Sequence, residues 1–246
     1  MFYADMLKIN PAKPSIRLYK PDDTRKLCSF ILSGNKAGVL NINVKEDPNG
    51  SGYRFIAELR NNIGKLLGFE HYAQFDKTDY MTGLLINVIP EYRRNNYFLG
   101  EILRLTSIIQ MLENNIKTFS IKSKDSAIYF HSKYKFQPSV ISFYDRDKLL
   151  ETITQDTSPK FKDITLKGKE LAEKIKYTLS TEKQRTFTQE ANTLFAEYIN
   201  RAMTENNSHL HQFHWLMDMA LEQKTVLKNK EFFNSLFDKH GIDYKI

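Results

Sequence analysis

Two adjacent arginines, Arg93 and Arg94, and two asparagines, Asn95 and Asn96, stand ahead of an amphipathic apolar run in the segment IPEYRRNNYFLGEILRL, which spans Ile89 to Leu105. Guanidinium groups and amides gathered at the mouth of a helix suit an anion. The first N–H groups of a helix lack partners, and its dipole favours negative charge at that end. Arginine adds charge-assisted contacts to a phosphate. The expected ligand of the stretch is therefore an anion, held by backbone N–H groups and helped by Arg93 and Arg94.

Other residues with chemical potential are fewer. Cys28 is the single cysteine, which excludes an intrachain disulfide, and its neighbours Leu27, Phe30 and Ile31 mark it as a small buried apolar residue rather than a nucleophile. His209, His211 and His214 lie in SHLHQFHW. On a helix His211 and His214 share a face at i, i+3, but no nearby carboxylate or cysteine completes a ligand set. Capping and packing around Trp215 is the expected role, and no metal is expected.

The elements that must position the anion loop follow from periodicity. Alternation predicts strands at Ser15–Tyr19, at Val39–Val44, at Tyr53–Leu59 and at Ile63–Phe75, the last two joined by the turn Arg60-Asn61-Asn62. Capping groups at Pro21-Asp22-Asp23-Thr24 predict a helix carrying Leu27, Phe30 and Ile31. The nearly continuous apolar run Met81–Ile89 predicts a strand buried on both faces. Leu99, Ile102, Leu103, Leu105, Ile108, Ile109 and Leu112 follow helical spacing, closed by Asn114-Asn115. A strand at Lys117–Ile121, a short helix at Ser126–Tyr134 and a strand at Ser139–Tyr144 complete the set.

From Gln155-Asp156-Thr157-Ser158-Pro159 onward helical patterns dominate. One helix carries Leu171, Ile175 and Leu179, a second Leu194 to Met203, a third Leu210, Phe213, Met217, Ala220 and Leu221, and a last one runs from Glu231 to Lys239 between Asn229 and Gly241. The expected fold class is α/β (α+β): a mixed central sheet flanked by helices over residues 1–155, followed by a smaller all-α C-terminal unit over residues 156–246.

The segments INVIPEYRRNNYFLGEILRL and SAIYFHSKYKF resemble the two central motifs of the GNAT superfamily of N-acetyltransferases, through Ile86, Val88, Pro90, Glu91, Tyr92 and Arg93 in the first and Ala127, Ile128, Phe130, Lys133 and Phe136 in the second. The resemblance covers residues 15 to about 145. It implies an acetyl-CoA co-substrate whose pyrophosphate lies on the loop from Arg93 through Arg94, Asn95, Asn96, Tyr97, Phe98 and Leu99 to Gly100, and whose pantetheine arm runs along Ile86, Asn87 and Val88. The family has an Arg-x-x-Gly-x-Gly/Ala loop. Counted from Arg93 the two small positions fall on Asn96 and Phe98; counted from Arg94, on Tyr97 and Leu99; Gly100 serves if the loop is longer.

The same resemblance implies an acid that protonates the leaving thiolate, and the family's tyrosine position is His131 here, with Tyr134 and Tyr129 as neighbouring phenols. Lys124 stands where the family commonly has an asparagine. A general base for the acceptor ammonium is expected on the central strands, with Glu70 preferred over His71, which alternation sends to the opposite face.

The implied activity is transfer of an acetyl group from acetyl-CoA directly to an amine, on a small molecule or a protein. The rival is a module of the same fold that has lost catalysis and binds a protein partner, or a second copy of itself, through the C-terminal helices. A chain of 246 residues with 41% hydrophobic residues can bury a full core, and its net charge of +7 makes acidic partners plausible. No aromatic-basic stacking motif points to nucleic acid, and no run is long and apolar enough to span a bilayer. The N-terminal stretch MFYADMLKINPAKP lacks a secretory pattern, so the expected compartment is the cytoplasm.

Overall fold

The computed structural model describes residues 13–18, 25–47, 54–74, 79–93, 96–124, 127–204 and 216–246. Its architecture is α/β, and its contacts divide the chain into two compact units, Met1–Phe119 with Glu222–Ile246, and Ser120–Leu221. The division expected at 155/156 falls inside the second unit. The last 25 or so residues group with the first unit and not with the preceding helices.

The first unit is a meander of antiparallel strands: β1 (Ser15–Leu18), β2 (Lys26–Asn35), β3 (Gly38–Glu46), β4 (Arg54–Asn61), β5 (Leu66–Gln74) and β6 (Tyr80–Val88). Each pairs with the next, in the registers Phe30↔Ile42, Val44↔Ala57, Ala57↔Glu70 and Glu70↔Ile86. One face of this sheet is apolar and buried, with Cys28, Phe30, Leu32, Leu40, Ile42, Val44, Phe55, Ala57, Leu59 and Tyr72. Helix α1 (Leu99–Glu113) covers that face and is buried almost all round. Polar residues occupy the opposite face, as in Lys45, Glu58 and Arg60, where the Glu58 carboxylate takes an ion pair from each cation.

Two features make the close packing of α1 work. Gln110 of α1 accepts from the Cys28 N–H at 3.0 Å and donates to the Lys26 carbonyl, so it pins β2 to the helix. Gly68 leaves the room that α1 and β6 need, since a Cβ there would sit 2.9 Å from the Asn87 carbonyl oxygen and 3.2 Å from Leu103. Cys28 is fully buried, and burial, with a contribution from the Glu113 charge, pushes its thiol up to about 12. It is no nucleophile.

Two expectations for this unit fail. The helix expected over Leu27, Phe30 and Ile31 is strand β2, because Cys28, Phe30 and Leu32 form an inward row at period two while Ile31 is 56% exposed. β6 is not buried on both faces: Leu84 and Leu85 are 48% and 55% exposed. The register with β5 jumps from His71↔Leu85 to Tyr72↔Gly83, which leaves Leu84 as an extra, bulged residue. The C-terminal part of the unit, α6 (Gln223–Lys228) and α7 (Lys230–Lys239), buries Val226, Phe233, Leu236 and Phe237, and Tyr244 donates to Glu113 of α1 at 3.0 Å.

In the second unit lie most of β7 (Thr118–Ser123), α2 (Ala127–Lys133), β8 (Gln137–Pro138), α3 (Phe143–Thr154), α4 (Lys162–Lys176), α5 (Thr181–Thr204) and most of β9 (Met217–Glu222). Over the strand expected at Ser139–Tyr144, residues 139–142 are neither strand nor helix and Phe143 opens α3, whose N-cap Ser142 accepts from the Asp145 N–H. Part of the third expected C-terminal helix is β9. Met217, Met219 and Leu221 alternate with Asp218 and Ala220, and the strand pairs antiparallel with β8 through Gln137↔Ala220. His209, His211, His214 and Trp215 lie outside the described residues. Among the described residues no cluster of histidine, cysteine, aspartate or glutamate could hold a metal ion, and no helix is long and apolar enough to cross a membrane.

Arg146 locks α3 to α5. Its side chain is 2% exposed, stacks on Phe143 at 5.0 Å, donates to the Gln184 carbonyl and side-chain oxygens and to Thr188 Oγ1, and pairs with Asp147. Arg146→Ala strands these acceptors, so it should lower stability by about 2 kcal/mol. A urea melt with an unchanged slope and a lower midpoint is the expected readout.

Candidate functional site

The anion loop begins where β6 ends. A short 3-10 turn, Pro90–Tyr92, follows Ile89 and carries the chain from the strand toward α1. Arg93 does not project freely: its Nε donates to the Val88 carbonyl at 2.6 Å and an Nη donates to the Asn87 side-chain oxygen at 2.9 Å. The arginine thus ties the loop back to the strand end expected to carry the pantetheine arm. Arg94 and Asn95 lie outside the described residues.

Beyond them the backbone takes an uncommon form. Asn96 has φ 53° and Phe98 has φ 56°, both in the left-handed region that favours glycine. These are the two small positions of the Arg-x-x-Gly-x-Gly/Ala pattern counted from Arg93. The count from Arg94, through Tyr97 and Leu99, does not match any positive φ among the described residues, and Leu99 is already buried as the first residue of α1. Asparagine adopts this conformation readily, whereas phenylalanine is strained there, at a cost of about 1–2 kcal/mol.

What holds Phe98 in place lies around it. Its ring sits 4.4 Å from the Lys239 ammonium and 5.5 Å from the His240 ring. From the β2–β3 hairpin, Asn35 donates to the Tyr97 carbonyl at 2.7 Å, and Tyr92 and Tyr97 lean on one another at 5.2 Å. Phe98 is the N-cap of α1, and its side chain makes no capping hydrogen bond. The first-turn carboxylate that could do so, Glu101, is engaged elsewhere, 3.2 Å from Lys239 and 2.7 Å from His240. Gly100 is half-buried in the first turn. The positive end of the α1 dipole lies at this loop.

The proposed catalytic residues have different surroundings. Glu70 is fully buried on the α1-facing side of β5, 2.9 Å from the Arg104 guanidinium. Burial raises its pKa, opposed by the Arg104 charge. A carboxylate without solvent access cannot collect a proton from an incoming ammonium, so the preference for Glu70 as base gives way to a structural role. His71 faces the other way, as alternation requires, with Nδ1 3.3 Å from Asp47.

In the second unit His131 is 4% exposed, between Phe130 at 5.2 Å and Phe136 at 5.7 Å, and Tyr134 is fully buried against Phe130. Lys124 is exposed at the end of β7, and its carbonyl accepts the Ala127 N–H at the start of α2. Tyr129 donates to the Ala202 carbonyl, and burial pushes its phenol up to about 12. Lys36, Lys239 and His240, which belong to the loop's surroundings, had no signal in the sequence, because they come from segments about 60 residues before it and 140 after it.

No protein-family model matches the sequence, and no curated protein matches it. Solved structures do. The chain is similar to the ribosomal-protein-S18-alanine N-acetyltransferase from Escherichia coli, at 23% identity and a TM-score of 0.34 over 37% of this chain and 58% of that one. It is similar to an acetyltransferase of the GNAT family from Staphylococcus aureus, at 24% identity and a TM-score of 0.32 over 35% and 54%. A third is the PaiA N-acetyltransferase from Thermoplasma acidophilum in complex with coenzyme A, at 17% identity and a TM-score of 0.30 over 36% and 55%. The chain thus spans a little over half the length of each of these three proteins.

Proposed function

We propose that the protein binds acyl-CoA, most simply acetyl-CoA, and transfers the acyl group directly to an amine on a small molecule or a protein, in the manner of the GNAT superfamily. The observation that carries this reading is the pair Asn96 and Phe98, held at positive φ two residues apart at the entry to α1. A chain accepts that strain where its backbone must approach a ligand.

The residues divide the work as follows. Amides from Asn96 to Gly100 take the diphosphate, with the positive end of α1 behind them. Arg93 holds the end of β6 so that the backbone at Ile86, Asn87 and Val88 is set for an extended thiol arm. The bulge at Leu84 bends the strand next to that segment. The bound thioester supplies the activated acyl group. The resemblance assigns the proton for the departing thiolate to His131.

Arg93→Ala frees the strand end and should weaken CoA binding about tenfold. Arg93→Lys should weaken it nearly as much, because an ammonium cannot make both bonds in that fork geometry. Calorimetry with CoA measures both, and no binding to the unmodified chain at millimolar CoA would end the reading.

The burial of His131, Tyr134 and Glu70 favours a second reading: a protein that binds the cofactor without turning it over. Incubation with acetyl-CoA and a panel of amines separates the two. Release of free thiol that depends on amine and on His131 supports transfer, whereas saturable binding with no amine-dependent thiol release supports the second.

A further inference from the structure

A pocket of about 420 Å³ opens beside the positive-φ loop, and its walls come largely from outside the two motifs that resemble the acetyltransferases. The β2–β3 hairpin contributes Asn35 and Lys36, the loop contributes Asn96 and Phe98, and the end of α7 contributes Lys239 and His240. Lys36 is exposed in the turn between Asn35 and Gly38. Lys239 lies over the Phe98 ring while keeping an ion pair to Glu101. The acid on the wall, Asp238, is held by Lys245 at 2.5 and 2.6 Å. Cations therefore outnumber carboxylates around the cavity, and the α1 N-terminus adds partial positive charge.

Resting on the reading above, we infer that this pocket is a second anion site, for a phosphate monoester, and that Lys36 and Lys239 are its charged ligands. In the proposed cofactor the group of that chemistry is the 3′-phosphate on the ribose, separate from the diphosphate that the loop amides take. The strain at Phe98 acquires a purpose on this account. Its ring carries Lys239 at the border between the two sites, so the αL position joins the diphosphate loop to the ribose phosphate pocket. A monoester dianion draws the Lys239 ammonium from the single Glu101 contact into a stronger charge-assisted pair.

The test is calorimetric titration of the full chain with CoA and with dephospho-CoA, which lacks only that phosphate. The unmodified protein should prefer CoA about tenfold, and the preference should shrink as salt rises. In Lys36→Ala and in Lys239→Gln the preference should fall to about twofold while dephospho-CoA affinity stays constant. Lys36 lies in an exposed turn, so its variant keeps the fold even if Lys239→Gln loosens α7, and thermal melts check each. Equal affinity of the unmodified protein for both ligands overturns this inference and leaves the functional reading standing. So does an equal loss for both ligands in the variants, which would place the diphosphate itself in the pocket. Failure of both ligands to bind overturns the functional reading and this inference together.

Discussion

Arg104→Met should lower stability by about 3–5 kcal/mol, enough to unfold a marginally stable protein at moderate temperature. Arg104 is 2% exposed on α1, its guanidinium 2.9 Å from the Glu70 carboxylate and 5.0 Å from the Phe119 ring. Removing the arginine leaves a carboxylate enclosed between sheet and helix with its main counter-charge gone. Paired replacement, Glu70→Leu with Arg104→Met, should restore most of the loss, since a buried pair exchanged for apolar groups of similar size is commonly neutral or better. Urea midpoints for the single and double variants measure the difference.

The pH dependence follows from the direction of the Glu70 shift. Burial already holds its folded-state pKa above the ordinary glutamate value of about 4.3, so the native state binds this proton more readily than the unfolded chain. A raised carboxylate contributes stability that is present below the unfolded pKa and lost as pH rises through the folded one. Arg104 limits that loss by lowering the folded value. Without Arg104 the window widens upward, and the Arg104→Met protein should gain stability on acidification toward the ordinary glutamate range. A variant whose midpoint is unmoved at neutral pH, or falls on acidification more steeply than the unmodified protein's, would show that the pair does not carry this weight.

Helix α1, which carries Arg104, is also the element most legible in the sequence. Its apolar spacing is dense, Asn114 and Asn115 end it, and Asn115 takes the positive φ that a helix end wants. The hairpin strands β4 and β5 are legible from alternation. β2 is not, because Leu27, Cys28, Phe30, Ile31 and Leu32 satisfy both periods, and the Pro21-Asp22-Asp23-Thr24 run offers a helix start that the tertiary pairing overrides. β9 escapes for the same reason: Met217, Ala220 and Leu221 fit a helical stripe, and only pairing with β8 decides for the strand. In the site, the pattern from Arg93 to Leu99 places the loop but leaves its register open. That register is a backbone property, visible only in the φ angles of Asn96 and Phe98. Lys239 and His240 leave no local trace at all, since nothing in their own segment says that the end of α7 meets a loop so distant along the chain.

Asn96→Pro should abolish measurable CoA binding, a loss of at least about a hundredfold, while Asn96→Gly should leave it intact or tighter. The two substitutions remove the same side chain and differ in the backbone they permit and in the N–H that only glycine keeps. Proline fixes φ near −65°, whereas the loop requires 53° at this residue, so the chain must take another path into α1 and its amides no longer converge. Glycine reaches the observed φ without cost, so the loop keeps its path into α1. Calorimetric titration with CoA, read beside a thermal melt, separates a lost site from a lost fold. Asn96 is exposed and buries no apolar surface, so the proline variant should keep a cooperative melt through α1 and the sheet. If proline left CoA affinity within threefold of the unmodified chain, the positive-φ loop would not be the ligand's seat. Equal losses in both variants would assign the effect to the Asn96 amide and not to the backbone.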